Sequence, residues 1–272
     1  RKIAAFHALL VLSVALSGCM SENNKSSYSN NDSMYEIPDY FEDGIFTCLE
    51  HDNLTRCWQT HVPETLDSST PVPLIVDMHG FGSHSTEQRH MSSFDTISEE
   101  EGFIVVYPDG DSSVDKLTGN TNQAWNAGWC CSHSVNEDID DVGFIEKMIQ
   151  VVIEKYNIDT NRIYASGWSN GCAMSQRLAM ESSHIFAAVG CMAMYLLTEH
   201  TTTYSPIPVM EVHGFLDQVV LYESTVLSVP WNEEMWKNPE AYDTGAIENI
   251  FEWSELNNCT GGLETYEANA LY

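Results

Sequence analysis

Five residues constrain this chain more than any other stretch: Gly167-Trp168-Ser169-Asn170-Gly171, set between the strand-like run RIYAS, which ends at Ser166, and a helical segment at 172–180. Glycines two positions to either side of a serine let neighbouring backbone approach a sharp strand-to-helix turn, which lifts the hydroxyl above the end of the sheet. The amides opening the following helix favour negative charge developing beside that hydroxyl. The pattern G-x-S-x-G alone arises by chance. A strand running in and a helix running out are the context it needs, and they make Ser169 the candidate nucleophile.

The rest of the chain supplies a sheet for that turn. Short apolar runs at 73–78 (PLIVDM), 103–107 (FIVVY), 162–165 (RIYA), 186–190 (FAAVG) and 208–212 (PVMEV) alternate with longer helical patterns. That alternation predicts an α/β class with a mostly parallel central sheet and helices on both faces. Ile145, Met148, Ile149, Val152 and Tyr156 recur at helical spacing and predict a helix over 141–156, with Asp140 and Asp141 as acids at its N-terminus. At 272 residues and 43% hydrophobic content the chain is long and apolar enough for one well-buried core.

Two further elements carry chemistry. His79-Gly80-Phe81-Gly82 follows the strand PLIVDM, and the amides of Phe81 and Asn170 are the candidate oxyanion donors. A histidine beside such a loop supports backbone conformation, so His79 is not the expected base. MEVHGFLD at 210–217 is a second strand ending in His-Gly, and Asp217, just past it, is the candidate acid that would orient an imidazole. Glu211 competes for that role but lies within the strand. Trp125 and Trp129, in the loop at 109–137, join Trp168 and Phe81 as candidate contacts for an apolar or phenolic acyl group; packing of a lid is the other reading of these aromatics.

The ends and the charge set the cell biology. Arg1 and Lys2 precede an apolar run at 3–18 that ends Leu16-Ser17-Gly18-Cys19. This is a lipoprotein-type export signal over 1–18, with Cys19 as the lipidation site; an ordinary signal peptide with an incidental cysteine is the alternative. A Ser- and Asn-rich linker at 19–40 then tethers a catalytic domain at 41–272. The net charge of −29, from 11 basic against 40 acidic residues, repels phosphate backbones and excludes nucleic-acid binding. In an exported chain the eight cysteines are disulfide material first. Cys48 and Cys57 face each other across a hairpin centred on Asp52 and Asn53. The adjacent Cys130 and Cys131 are expected not to pair with each other, the partners of Cys172 and Cys191 stay open, and Cys259 is the expected orphan. No C-x-x-C pair or histidine at ligand spacing supports a metal site.

The segments PLIVDMHGFG, FIVVYPDG, WNAGWCCS, DIDDVGFIEKMI, YNIDTNRIYASGWSNGCAM and VHGFLDQVV, in this order and spacing, resemble the secreted polyhydroxybutyrate depolymerase and feruloyl esterase-like family of α/β-hydrolases across about residues 45–257. The resemblance implies a monomeric, cofactor-free serine esterase acting through an acyl-enzyme on hydroxyalkanoate, phenolic or acetyl esters. It implies Ser169 as nucleophile, Asp217 as acid, the HGFG loop with Asn170 as oxyanion hole, and DDVGFI as architecture. One departure stands out. All ten histidines lie at or before position 213, whereas the family places its base after the acid. His184, His200 and His213 are poor substitutes, so the base is expected beyond Tyr272, in a chain truncated at its C-terminus. A serine peptidase of the same fold and a lipid-anchored binding module lacking its base remain the alternatives.

Overall fold

The computed structural model describes residues 12–17, 38–114, 119, 121–131, 133–222 and 245–260. Its strands are β1 (Leu12–Ser17), β2 (Tyr40–Asp43), β3 (Phe46–His51), β4 (Leu54–His61), β5 (Val72–Met78), β6 (Ile104–Pro108), β7 (Asp111–Val114), β8 (Thr121–Ala124), β9 (Ile158–Gly167), β10 (Ala188–Met192) and β11 (Val209–Gly214). The helices are α1 (Ser85–Ser92), α2 (Phe94–Glu101), α3 (His133–Asn136), α4 (Asp141–Lys155), α5 (Asn170–Glu181) and α6 (Ala246–Leu256). Among the described residues no helix is long and apolar enough to cross a membrane.

Nine strands form one sheet in the order β1-β11-β10-β9-β5-β6-β4-β3-β2, and β7 and β8 pair separately. The middle five, β11-β10-β9-β5-β6, run parallel, and antiparallel strands extend both sides. Alternation along β6 shows how both faces are covered. Val105 and Tyr107 point to one side and pack with Phe103, Ile75 and Phe94 of α2. Ile104 and Val106 point to the other, into the large cluster that holds Phe144, Ile145 and Met148 of α4 and Cys172, Ala173 and Met174 of α5. Period-two strands buried on both sides read as continuous apolar runs, which is what 103–107 shows.

The hairpin β3–β4 turns on Asp52 (φ 48°) and Asn53 (φ 63°). Two left-handed central residues make the turn whose twist matches the flanking strands, and the register sets Cys48 opposite Cys57, where they are bridged. Cys172 pairs with Cys191. The expectation for Cys130 and Cys131 is corrected: they pair with each other, across a tight turn in which Cys131 takes the left-handed conformation (φ 81°). Part of the apolar run read as an export signal pairs with the sheet, a contact that exists only while that run is attached. Leu12–Ser17 lie antiparallel along β11, where an extended apolar segment satisfies the backbone groups of an otherwise open sheet edge. Cys19 and residues 18–37 lie outside the described residues, as do 261–272.

α4 starts as its acids predict: Asp140 is the N-cap, and its Oδ1 accepts from the Gly143 amide at 2.9 Å. Asp141 does more than cap. Fully buried, it accepts from Arg56 Nη2 and from the Asn126 amide, both at 2.6 Å, while Arg56 lies over the Phe144 ring. A charge buried here is tolerated because both carboxylate oxygens are met by donors. The ion pair ties the β3–β4 hairpin, the 125–126 segment and α4 into one block behind the carboxyl edge of the sheet.

Candidate active site

β9 ends at Gly167, and the chain reverses over Trp168 and Ser169 into α5, which begins at Asn170. Ser169 has φ 53° and ψ −121°, a conformation L-residues rarely adopt; such strain costs about 1–3 kcal/mol and persists only where the surroundings enforce it. Here they do. The Ser169 amide donates to Met192 O (2.8 Å), the Trp168 amide to Met78 O (3.1 Å), and the Gly171 amide to Trp168 O (2.9 Å). The flanking glycines are required by contact. A Cβ on Gly171 would lie 2.2 Å from Met78 O and 2.6 Å from His79 O, and one on Gly167 would lie 2.5 Å from Gly171 O. Ser169 itself is half-buried.

The loop 79–82 leaves β5, the parallel neighbour of β9, at the same edge. Neither the Phe81 nor the Asn170 amide donates to a protein acceptor among the described residues, as donors aimed at a substrate oxygen require. His79 pins this loop. Its Nδ1 donates to Gly80 O (2.8 Å), and its Nε2 accepts from the Gly110 amide (2.9 Å). Acceptance at Nε2 requires the neutral ring, and burial pushes its pKa down to about 4. The Gly82 amide donates to Gln123 O at 2.8 Å, fastening the loop's far end to β8.

Asp217 sits in the turn after β11. Its Oδ1 accepts from the amides of Val219 (2.8 Å) and Val220 (3.0 Å), and its amide donates to Gly214 O. Because β5, β9, β10 and β11 are adjacent and parallel, residues 81, 169, 192 and 217 all emerge at one carboxyl edge, where open α/β sheets hold their ligands.

The tryptophans part company. Trp125 is fully buried, so its assignment as a substrate contact is corrected. Its indole N–H donates to His79 O (2.9 Å), and the Asn170 side chain brackets its peptide, accepting from Trp125 N (2.7 Å) and donating to Trp125 O (3.2 Å). Trp125 thus joins the oxyanion loop to the first turn of α5. Trp129 is half-buried against the main core. Trp168 is exposed beside Gly80, where a Cβ would meet its ring at 3.0 Å. Sequence reasoning missed the companions of Trp168 and Phe81: Met192, Phe215, Leu216 and Val219 are also large, apolar and exposed, Met192 at the end of β10 and the other three in the turn after β11. The signal lay in the apolar residues of GFLDQVV around Asp217.

Among the described residues no histidine hydrogen-bonds the Ser169 hydroxyl. His213 is enclosed by Glu211 and Val220 O. His200 pairs with Glu252 on the surface, and His184 is exposed in the turn after α5. His51, Asp52 and Asp140 have the proximity of metal ligands. However, Lys147 Nζ donates to His51 Nδ1 (2.8 Å), which leaves the proton on Nε2, donated to Asp140 (2.9 Å), so the nitrogen facing the two carboxylates has no free lone pair for a metal.

A serine held in a strained strand-to-helix turn, on a parallel sheet with helices on both faces and facing a glycine loop, defines an α/β-hydrolase. The chain belongs to the family described as Esterase PHB depolymerase, whose family model matches residues 61–233. It is 28% identical over 204 residues to feruloyl esterase B of Piromyces equi, covering 73% of this chain and 35% of that protein. It is also 26% identical over 151 residues to the bifunctional acetylxylan esterase/xylanase XynS20E of Neocallimastix patriciarum, covering 56% and 20%. The chain thus spans about a third or less of these two relatives. Among solved structures, an acetyl xylan esterase from Aspergillus awamori matches with a TM-score of 0.42 and 21% identity, over 64% of this chain and 57% of that one.

Proposed function

We propose that this chain carries the catalytic unit of an exported, monomeric serine carboxylester hydrolase, lipid-anchored through Cys19, that acts by an acyl-enzyme on hydroxyalkanoate, feruloyl-type or acetyl esters. The observation that carries the reading is the forced backbone of Ser169 beside two amides, of Phe81 and Asn170, that have no acceptor among the described residues. Attack by Oγ on the ester carbonyl moves charge onto the carbonyl oxygen, and those amides receive it; removing one such donor typically costs about 10²–10³ in rate. Collapse of the tetrahedral species expels the alcohol and leaves the acyl group on Ser169, and water then repeats the sequence. Asp217 orients the imidazole that takes the serine proton. Among the described residues no histidine hydrogen-bonds the Ser169 hydroxyl, and His213 has both ring nitrogens engaged by Glu211 and Val220 O. The apolar rim of Phe81, Trp168, Met192, Phe215 and Leu216 suits a phenolic or alkyl acyl group, in keeping with the names of the relatives.

The test is made on the full-length protein, which should hydrolyse p-nitrophenyl butyrate and bind a fluorophosphonate probe at residue 169, and Ser169→Ala should abolish both. Asp217→Asn should slow turnover about 10⁴-fold. Turnover that disappears on changing His184, His200 or His213, with the fold retained, would make that histidine the base. A folded protein that the probe does not label at residue 169 would overturn the function.

A further inference from the structure

Behind Asp217 lies a buried polar chain that the reaction as proposed does not use. Glu211 and His213, on the same face of β11, are both almost fully buried. Their side chains meet at 2.5 Å, Glu211 Oε1 to His213 Nδ1. The other carboxylate oxygen accepts from Asn249 Nδ2 of α6 (3.2 Å), and Asn249 Oδ1 accepts from the Leu196 amide (2.9 Å). The other imidazole nitrogen, Nε2, lies 2.7 Å from Val220 O. A carbonyl only accepts, so Nε2 carries a proton, and the pair is completed by a second proton held between Nδ1 and Glu211.

Val220 is the link to the site. Its carbonyl accepts from His213, while its amide donates to Asp217 Oδ1. One peptide plane therefore connects the buried pair to the candidate acid, whose Oδ2 also lies 3.9 Å from His213 Nε2. The two carbonyls that follow are also captured, Leu221 O by the Tyr195 hydroxyl and Tyr222 O by the Ala246 amide. Tyr195 stacks on the imidazole with centroids 5.7 Å apart, and Tyr222 meets it edge-on. Three consecutive carbonyls, gripped from β11, from the loop after β10 and from α6, fix the far limb of the turn whose near limb bears Asp217.

We propose that Glu211 and His213 are positioning residues for Asp217, acting through the Val220 peptide to hold the carboxylate at the angle its imidazole partner needs. The inference rests on Asp217 being the acid. Among the described residues, the ionisable groups around the pair are Asp217, Tyr195, Tyr222 and, beside Tyr195, Glu248 of α6. Desolvation would lower the pKa of His213, but the Glu211 carboxylate, the Val220 carbonyl and the field of Asp217 outweigh it and raise the pKa above the ordinary histidine value.

A double-mutant cycle in the full-length protein tests this, with kcat for p-nitrophenyl butyrate normalised to folded protein by near-ultraviolet circular dichroism. Glu211→Gln should lower kcat about 10- to 100-fold with KM within about twofold, because misplacing an orienting group acts on the transition state. In an Asp217→Asn background the same change should cost less than about twofold, since the group it positions is already lost. His213→Gln, whose amide can still donate to Val220 O, should retain more activity than His213→Asn, whose shorter side chain cannot. Equal losses in the two backgrounds, or losses that only follow the folded fraction, would overturn the proposal while leaving Asp217 in place. An Asp217→Asn variant with unchanged kcat would overturn the assignment of the acid and the proposal together.

Discussion

Asp77 and His79 lie two residues apart at the end of β5 and respond to pH in opposite senses. Asp77 is buried, with Gln88 Nε2 3.0 Å from each carboxylate oxygen, and desolvation pushes its pKa up to about 6. A raised carboxyl pKa gives stability that is fully present below the unfolded value, 3.8, and is lost as pH rises through 6, about 3 kcal/mol in all. His79, depressed to about 4, gives stability present above its unfolded value and lost as pH falls through 4, again about 3 kcal/mol. Between pH 4 and 6 the two offset each other. Asp77→Asn separates them: its amide can donate to Gln88 Oε1, which is buried without a partner among the described residues. In urea titrations Asp77→Asn should be about 3 kcal/mol more stable than the parent at pH 7.5, with the advantage gone by pH 4. An advantage that does not vary with pH would contradict the ionisation of Asp77. A second residue-scale expectation concerns Trp125 and Trp168. Trp125→Phe removes the donor to His79 O inside the core and should lower stability by about 1–3 kcal/mol. Trp168→Ala, at an exposed position, should leave the melting temperature nearly unchanged and raise KM more for feruloyl than for acetyl esters.

At the scale of elements, the nucleophile turn depends on α5 and β10 staying in register. The Cys172–Cys191 bridge joins them, three residues after Ser169 on one side and one residue before Met192, the acceptor for the Ser169 amide, on the other. Gln176 reinforces it from the next turn of α5, donating to Met194 O (2.8 Å) and accepting from Trp253 of α6 (2.7 Å). Replacing both cysteines by alanine should cost about 3 kcal/mol from the freed 19-residue loop, measured by thermal unfolding, and should slow fluorophosphonate labelling of Ser169. A labelling rate equal to the parent's would show that the other contacts suffice to hold the turn. These elements differ in how far the sequence displays them. β5, β6, β9, β10, β11, α4 and α5 are legible because each is a local pattern, a run of β-branched residues or a helical period with its capping acid. The nucleophile turn is legible because its glycines answer to local backbone crowding. The bridge between Cys172 and Cys191, the enclosure of Trp125 and the engagement of His213 by Glu211 and Val220 depend on which strands become neighbours, and no local pattern encodes that. α1, α2 and α6 are amphipathic without a strong apolar stripe, and they are fixed by packing once the sheet exists.

For the whole molecule the governing quantity is the net charge of −29. Self-repulsion of this size opposes compaction, and its range falls from about 10 Å at 0.1 M salt to about 3 Å at 1 M. The melting temperature should therefore rise with NaCl, by about 2–4 °C for each kcal/mol of repulsion relieved, with most of the gain in the first few tenths molar. The same field bears on turnover. A neutral ester is not steered by it, whereas the carboxylate that the proposed hydrolysis releases is repelled, most strongly at low salt. Product inhibition by ferulate or 3-hydroxybutyrate should then be weak in dilute buffer and tighten as NaCl is added, while KM for an uncharged ester stays nearly constant. Inhibition constants measured from about 0.02 to 1 M NaCl decide the matter: an inhibition constant that does not change with salt would mean that the exposed acids lie too far from the carboxyl edge to act on the leaving product, and that the surface charge serves solubility alone.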